Sequence, residues 1–146
     1  EIERVVTNVV ARADDFTTVF AVSDHLGANS QILMQFDRML EESNRSPAEA
    51  MDLIATAYGQ ITRMVIERCP SFKAVYSTGA EYTVAICREL KSLGLEIQGQ
   101  VLPLTAYGQL LDGPYAGMHY VASATSATDP ATLIESIQYL RRKMVI

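Results

Sequence analysis

The 146-residue chain is 49% hydrophobic and 20% charged, with a net charge of −5. That balance suits one globular core and excludes a disordered tail. With no basic stripe there is no footprint for nucleic acid, and the apolar runs fall well short of the ~18 residues of a membrane span.

Ile2, Val5, Val6, Val9 and Val10 recur at helical spacing, and Asp14-Asp15 breaks the pattern. Residues 17 to 22, within TTVFAVS, predict a buried strand. DHLGANS then turns the chain, and Ser30 predicts the cap of a helix through Leu40 with Leu33, Phe36, Met39 and Leu40 on one face. EESNRS, residues 41 to 46, reads as a loop.

The strongest local signal is SPAEAMDLIATAYGQITRMVIERCP. Ser46 predicts an N-cap, Pro47 the first helical position and Glu49 the partner in a capping box. Ile54, Tyr58, Ile61 and Val65 predict its buried stripe, and Pro70 its end. FKAVYS, residues 72 to 77, predicts a strand, followed by a helix from about Glu81 to Leu93 with Gly94 as its C-cap. Residues 95 to 101 alternate like a strand. Strands near 107–111 and 118–124 are joined at Asp112-Gly113 or at Pro114 to Gly117. Asp129-Pro130 opens a last helix with Leu133, Ile134, Ile137 and Leu140 on one face, and Arg141, Arg142 and Lys143 suit its C-terminal end.

The order of elements predicts an α/β fold, a single domain over residues 1–146. Its sheet is expected to be mixed and largely parallel, flanked by helices in three layers. Cys69 and Cys87 form no disulfide framework and read as reduced, buried thiols, which fits a cytoplasmic setting. The chain opens at Glu1 inside an amphipathic pattern with no signal peptide in view, as a fragment of a larger two-domain protein would.

Little in the chain reads as catalytic machinery. His25 lies beside Asp24 in a loop, and His119 reads as a strand-face residue. The histidines and cysteines show no metal-ligand spacing. There is no G-x-S-x-G, Walker A or G-x-G-x-x-G motif. Glu81 and Asp129 sit at helix starts, where capping explains a carboxylate. What remains is three strand–turn–helix junctions: Ser23 to Ser30, Ser77 to Tyr82, and Ala124 to Asp129. If their strands are parallel neighbours, the three turns face one crevice.

Residues 72 to 141 also carry a pattern. Thr78-Gly79-Ala80-Glu81 stands where T-G-G-[DE] would. Leu93-Gly94-Leu95 with Gly99, then Gly113-Pro114 with Gly117, follow it, and Asp129-Pro130 ends K-[SA]-G-G-F-G-D-P. Upstream, Ser23 and Gln31 fall in register with a similar turn. The stretch resembles the C-terminal nucleotide-binding domain of the four-carbon acid sugar kinase family. The resemblance implies a site for ATP with magnesium around Ser23, Thr78, Gly79, Ala80, Glu81, Thr125, Ser126 and Thr128. It also implies a sugar-acid substrate and an N-terminal domain needed for catalysis. It assigns no catalytic residue here and no protein-held metal.

The departures fall on the phosphate chemistry. Ala80 replaces a glycine, Tyr82 a threonine and Val22 an upstream glycine. Ser123 stands at the lysine position, and Thr125 to Thr128 at G-G-F-G. A glycine permits close backbone approach, and a lysine supplies positive charge. Two other readings stay open: a degenerate, non-catalytic domain for ligand sensing or self-association as a homo-oligomer, and an unrelated α/β enzyme using Asp24, His25 or Glu81.

Overall fold

A computed structural model describes residues 1–14, 30–125 and 129–144, and the side chains of all of these but residues 30–33. The elements are α1 (Ile2–Ala11), α2 (Ser30–Ser43), α3 (Pro47–Arg68), β1 (Ala74–Thr78), α4 (Ala80–Glu89), β2 (Leu95–Leu102), β3 (Thr105–Leu110), β4 (His119–Ser123) and α5 (Pro130–Met144). The strand expected at 17–22 lies outside the described residues.

The four strands form one sheet in the order β1-β4-β3-β2. It is mixed, as expected, among the described strands. Only β1 and β4 pair in parallel, with Thr78 opposite Ser123, whereas β4–β3 and β3–β2 are antiparallel. The connections explain this. Leu102 pairs with Thr105 across the two-residue turn Pro103-Leu104, and so short a link joins only antiparallel strands. The parallel pair is separated in sequence by α4, β2 and β3.

Helices α3 and α4 cover one face of the sheet and α5 the other, giving three layers, while α1 packs on α3. Strand alternation assigns the side chains. Val75 and Tyr120 point toward Ile66, Ile86 and Leu90. Tyr107 and Val121 point toward Leu140. Tyr120, Leu90 and Leu110 are almost wholly buried, each stabilising the fold by about 1.5–3 kcal/mol.

The capping box forms as predicted. Glu49 N–H donates to Ser46 Oγ at 3.2 Å, and Ser46 N–H donates to Glu49 Oε2 at 2.8 Å. The Glu49 carboxylate is held below its ordinary pKa by Ser46, first through its backbone N–H and then through its hydroxyl.

Several expected faces rotate. The buried line of α3 runs through Ala50, Ala55, Gly59 and Ile66, with Ile54, Tyr58, Ile61 and Val65 only half-buried beside it. Small side chains there let α3 lie close against α4. In α5 the buried line is Thr132, Ser136 and Leu140, Ile134 being exposed. In α2, Met39 is exposed.

Two helix ends also move. Helix α4 stops at Glu89, and the left-handed residue that ends it is Lys91 (φ 57°) rather than Gly94. Ser92 N–H then bonds Cys87 O at 2.9 Å, a 6→1 closure. Helix α2 continues to Ser43 and closes through Asn44 (φ 52°), so the loop expected at 41–46 shrinks to a turn. Cys87 is buried and Cys69 half-buried, both free thiols, and burial raises the Cys87 pKa. No described helix is long and apolar enough to cross a membrane.

Candidate functional site

The parallel pairing of β1 and β4 sets two of the expected turns side by side. Gly79 N–H donates to the Ser123 carbonyl at 2.9 Å, extending the ladder past Thr78. The turn after β1 and the chain leaving β4 therefore share one edge of the sheet. Thr78, Gly79, Ala80, Glu81 and Thr125 are brought to that edge, while Ser23, Ser126 and Thr128 lie outside the described residues.

Gly79 is the N-cap of α4 with φ 88° and ψ 135°, a backbone state that side chains other than glycine's rarely adopt. A Cβ there would meet the Tyr82 ring at 3.0 Å. Tyr82 packs edge-on against Tyr58 of α3, with ring centroids 5.1 Å apart. The first helical bond is accepted by Gly79 O from Thr83 N–H at 3.2 Å. The backbone N–H groups of Ala80 and Glu81, in the first turn, have no carbonyl within the helix to bond. Such a start favours an anion, although Glu81 brings an exposed carboxylate beside it.

Behind this turn the hydroxyls are engaged with one another. Ser77 Oγ lies 2.8 Å from both Thr83 Oγ1 and Tyr120 Oη, and Thr83 donates to Gly79 O at 3.1 Å. Burial drives the Tyr120 phenol far above its ordinary pKa, so it stays protonated. On the other face of β4, Ser123 is 2% exposed. Its Oγ contacts Thr105 Oγ1 at 3.0 Å and Thr125 Oγ1 at 2.7 Å, and accepts Thr125 N–H at 3.2 Å. Burial also pushes the Tyr76 phenol up, against the pull of its bond with Ser123.

Asp129 accepts from Ala131 N–H at 3.1 Å and Thr132 Oγ1 at 2.6 Å, which caps α5 and holds its carboxyl below the usual range. Capping is thus its role in the described structure.

In front of the edge lies a largely apolar groove of about 610 Å³. Ala80, Val84, Ile97, Leu104, Ala122 and Ala124 supply its apolar wall, and among the described residues no charged side chain lines it. Local sequence gives no signal for this groove, because Val84, Ile97 and Leu104 come from three elements that only the fold brings together. Leu104 is 70% exposed at the hairpin tip with φ 62°.

The nucleotide-binding C-terminal domain family matches residues 1–124. The chain belongs to that family. The match ends at Ala124, where the fourth stretch starts to lose its glycines. Among similar proteins is a D-erythronate kinase of Heliobacterium modesticaldum, 34% identical over 71 residues, which are 48% of this chain and 16% of that enzyme.

The fold is shared with a domain of unknown function from Bordetella bronchiseptica, solved with bound citrate as a domain-swapped dimer in two crystal forms. The TM-scores are 0.62 and 0.60 at 18% identity, over 92% and 93% of this chain. The chain spans 30% and 38% of those two chains. The kinase-family resemblance read from Thr78 to Asp129 is therefore correct. A kinase-like nucleotide-binding domain is what this family membership means for the chain.

The same geometry relocates one family stretch. Gly113-Pro114 and Gly117 lie between β3 and β4, at the entry to β4. That is the opposite end of the strand from Ser123. Gly113 (φ 81°) is so close to Lys91 that a Cβ would sit 2.3 Å from the Lys91 carbonyl oxygen. Gly113 thus serves packing, and the stretch is not part of the Gly79 edge.

Proposed function

We propose that this domain is the nucleotide-binding part of a kinase that phosphorylates a four-carbon sugar acid, and that ATP occupies the edge formed by the Gly79 turn and the end of β4. The observation that carries the reading is the Gly79–Ser123 backbone bond, which joins the first and fourth family stretches at one edge. The apolar groove suits the base and sugar, and the Ala80 and Glu81 amides face the phosphates. Thr78 and Thr125 contribute hydroxyls, as Ser23, Ser126 and Thr128 would from outside the described residues.

Charge is the weak element. Among the described residues no cation lines the groove, and Ser123, at the lysine position, is turned inward to Thr105 and Thr125. Among the described residues no three His, Cys, Asp or Glu gather to hold a metal. A magnesium ion would then arrive on the nucleotide, as such ions commonly do on phosphates. Losing one or two charge-assisted contacts costs about 1.5–3 kcal/mol each, or roughly ten- to thousands-fold in affinity. We therefore expect weak nucleotide binding dominated by the nucleoside, with turnover requiring the N-terminal domain of the parent protein.

Calorimetric titration with Mg-ATP and with adenosine tests this. Both should bind in the millimolar range, within roughly tenfold of each other. Low-micromolar Mg-ATP binding would show that the missing lysine costs little. If neither binds at millimolar concentration, even beside the N-terminal domain, the nucleotide reading fails.

A further inference from the structure

The opposite edge of the sheet concentrates positive charge on a chain of net charge −5. Lys73, just before β1, His119 at the start of β4, and Lys143 near the end of α5 line one groove of about 390 Å³, floored by the Tyr115–Met118 turn. Among the described residues no carboxylate lines it, and neither lysine has an ion-pair partner.

The three groups come from three elements and are positioned in different ways. Tyr107 Oη lies 2.8 Å from His119 Nδ1. Burial pushes that phenol up, and the contact engages Nδ1, leaving Nε2 as the ring nitrogen not bonded to Tyr107. Lys143 Nζ sits 5.4 Å from the Tyr107 ring centroid and 5.6 Å from that of Tyr139, within cation–π range. Lys143 alone could be read as offsetting the carbonyls at the end of α5. That reading does not account for Lys73 and His119, which approach from the sheet.

We infer that this groove is a second binding site, one that takes a small dianion carrying a phosphate or a pair of carboxylates. Its volume is within the range of small-molecule pockets. Two ammonium groups, with the imidazole beside them, match two negative charges. His119 lies about 13 Å along β4 from Ser123, so this site is separate from the nucleotide edge. The loop that floors it contains Gly117, the last residue of the family's third stretch, whose place at this end the nucleotide reading leaves unexplained.

The test is an NMR titration of the full chain with inorganic phosphate and, separately, succinate at low ionic strength. We expect saturable shifts at Gly117, Met118 and the His119 ring for at least one probe, weakening as salt is added. Lys73→Gln and Lys143→Gln should each weaken binding roughly tenfold, and the double substitution should abolish it. Both lysines are exposed, so these variants keep the fold. The probe that binds distinguishes phosphate from dicarboxylate. Shifts that never saturate, that persist in the double variant, or that fall only at the Gly79 turn would overturn the proposal.

Discussion

The two ends of β4 use glycine and charge in opposite ways. At the Ser123 end, Gly79 has φ 88° and its nearest neighbour is one edge of the Tyr82 ring. The surroundings there are hydroxyls and apolar side chains, with no cation in the groove among the described residues. At the His119 end, Gly113 is pressed against the Lys91 backbone, and two lysines line the groove beyond it. A left-handed glycine thus opens a helix in one place and makes a tight backbone contact in the other. Phosphate-binding patterns built on glycine cannot tell these apart. The neighbours of the missing Cβ can.

The comparison presupposes a rigid sheet between its ends, and Tyr120 is its centre. Tyr120→Ala empties the largest fully buried position among the described residues and should cost about 3–5 kcal/mol in denaturant unfolding. A loss near 1 kcal/mol would show that the two ends are not held by one core.

Next in size, Gly113→Ala should destabilise by about 2–4 kcal/mol, combining a strained φ with a backbone clash, and should leave adenosine binding unchanged. Gly79→Ala should cost about 1–3 kcal/mol, since only the backbone state is strained and the Tyr82 ring can give, and it should weaken Mg-ATP binding. Equal losses with equal effects on binding would erase the contrast between the two glycines.

Tyr120→Phe sharpens the Ser123 end. It removes one partner of Ser77, which keeps its bond with Thr83, so about 1 kcal/mol should be lost.

The smallest effect concerns Asp129. Its folded pKa is depressed, chiefly by Thr132 and then by Ala131 N–H. Its contribution is present above the unfolded value, near pH 4, and is lost as pH falls through the lower folded value. Asp129→Asn should therefore flatten the acid limb of a pH–stability curve and leave the region above pH 7 with the same slope. An unchanged acid limb would mean that the α5 cap does not titrate with folding.

The local elements were legible because their causes are local. The Ser46–Glu49 box, the Pro47 start and the Gly79 turn each depend on residues within one helical turn. The Pro103-Leu104 hairpin was not legible, since it lacks the Gly or Asn that usually marks a left-handed turn position, and Leu104 takes that position with φ 62°. The buried stripes of α3 and α5 were misread for a related reason. Hydrophobic spacing selects the largest apolar residues, but close packing puts Ala55, Gly59 and Ser136 against their neighbours and leaves larger ones at the flanks.

For the site, sequence pattern identified Thr78 to Glu81 and the end of β4 as family stretches and located the lost lysine at Ser123. It could not say that Ser123 faces inward, that Val84, Ile97 and Leu104 form one wall, or that Lys73, His119 and Lys143 line one groove. A motif is a run of neighbours in the chain, and its composition is written in the sequence. A groove is a meeting of residues far apart in the chain. Which residues meet was decided here by the pairing of β1 with β4 and the return of α5 across the sheet, both settled by burial of the whole core.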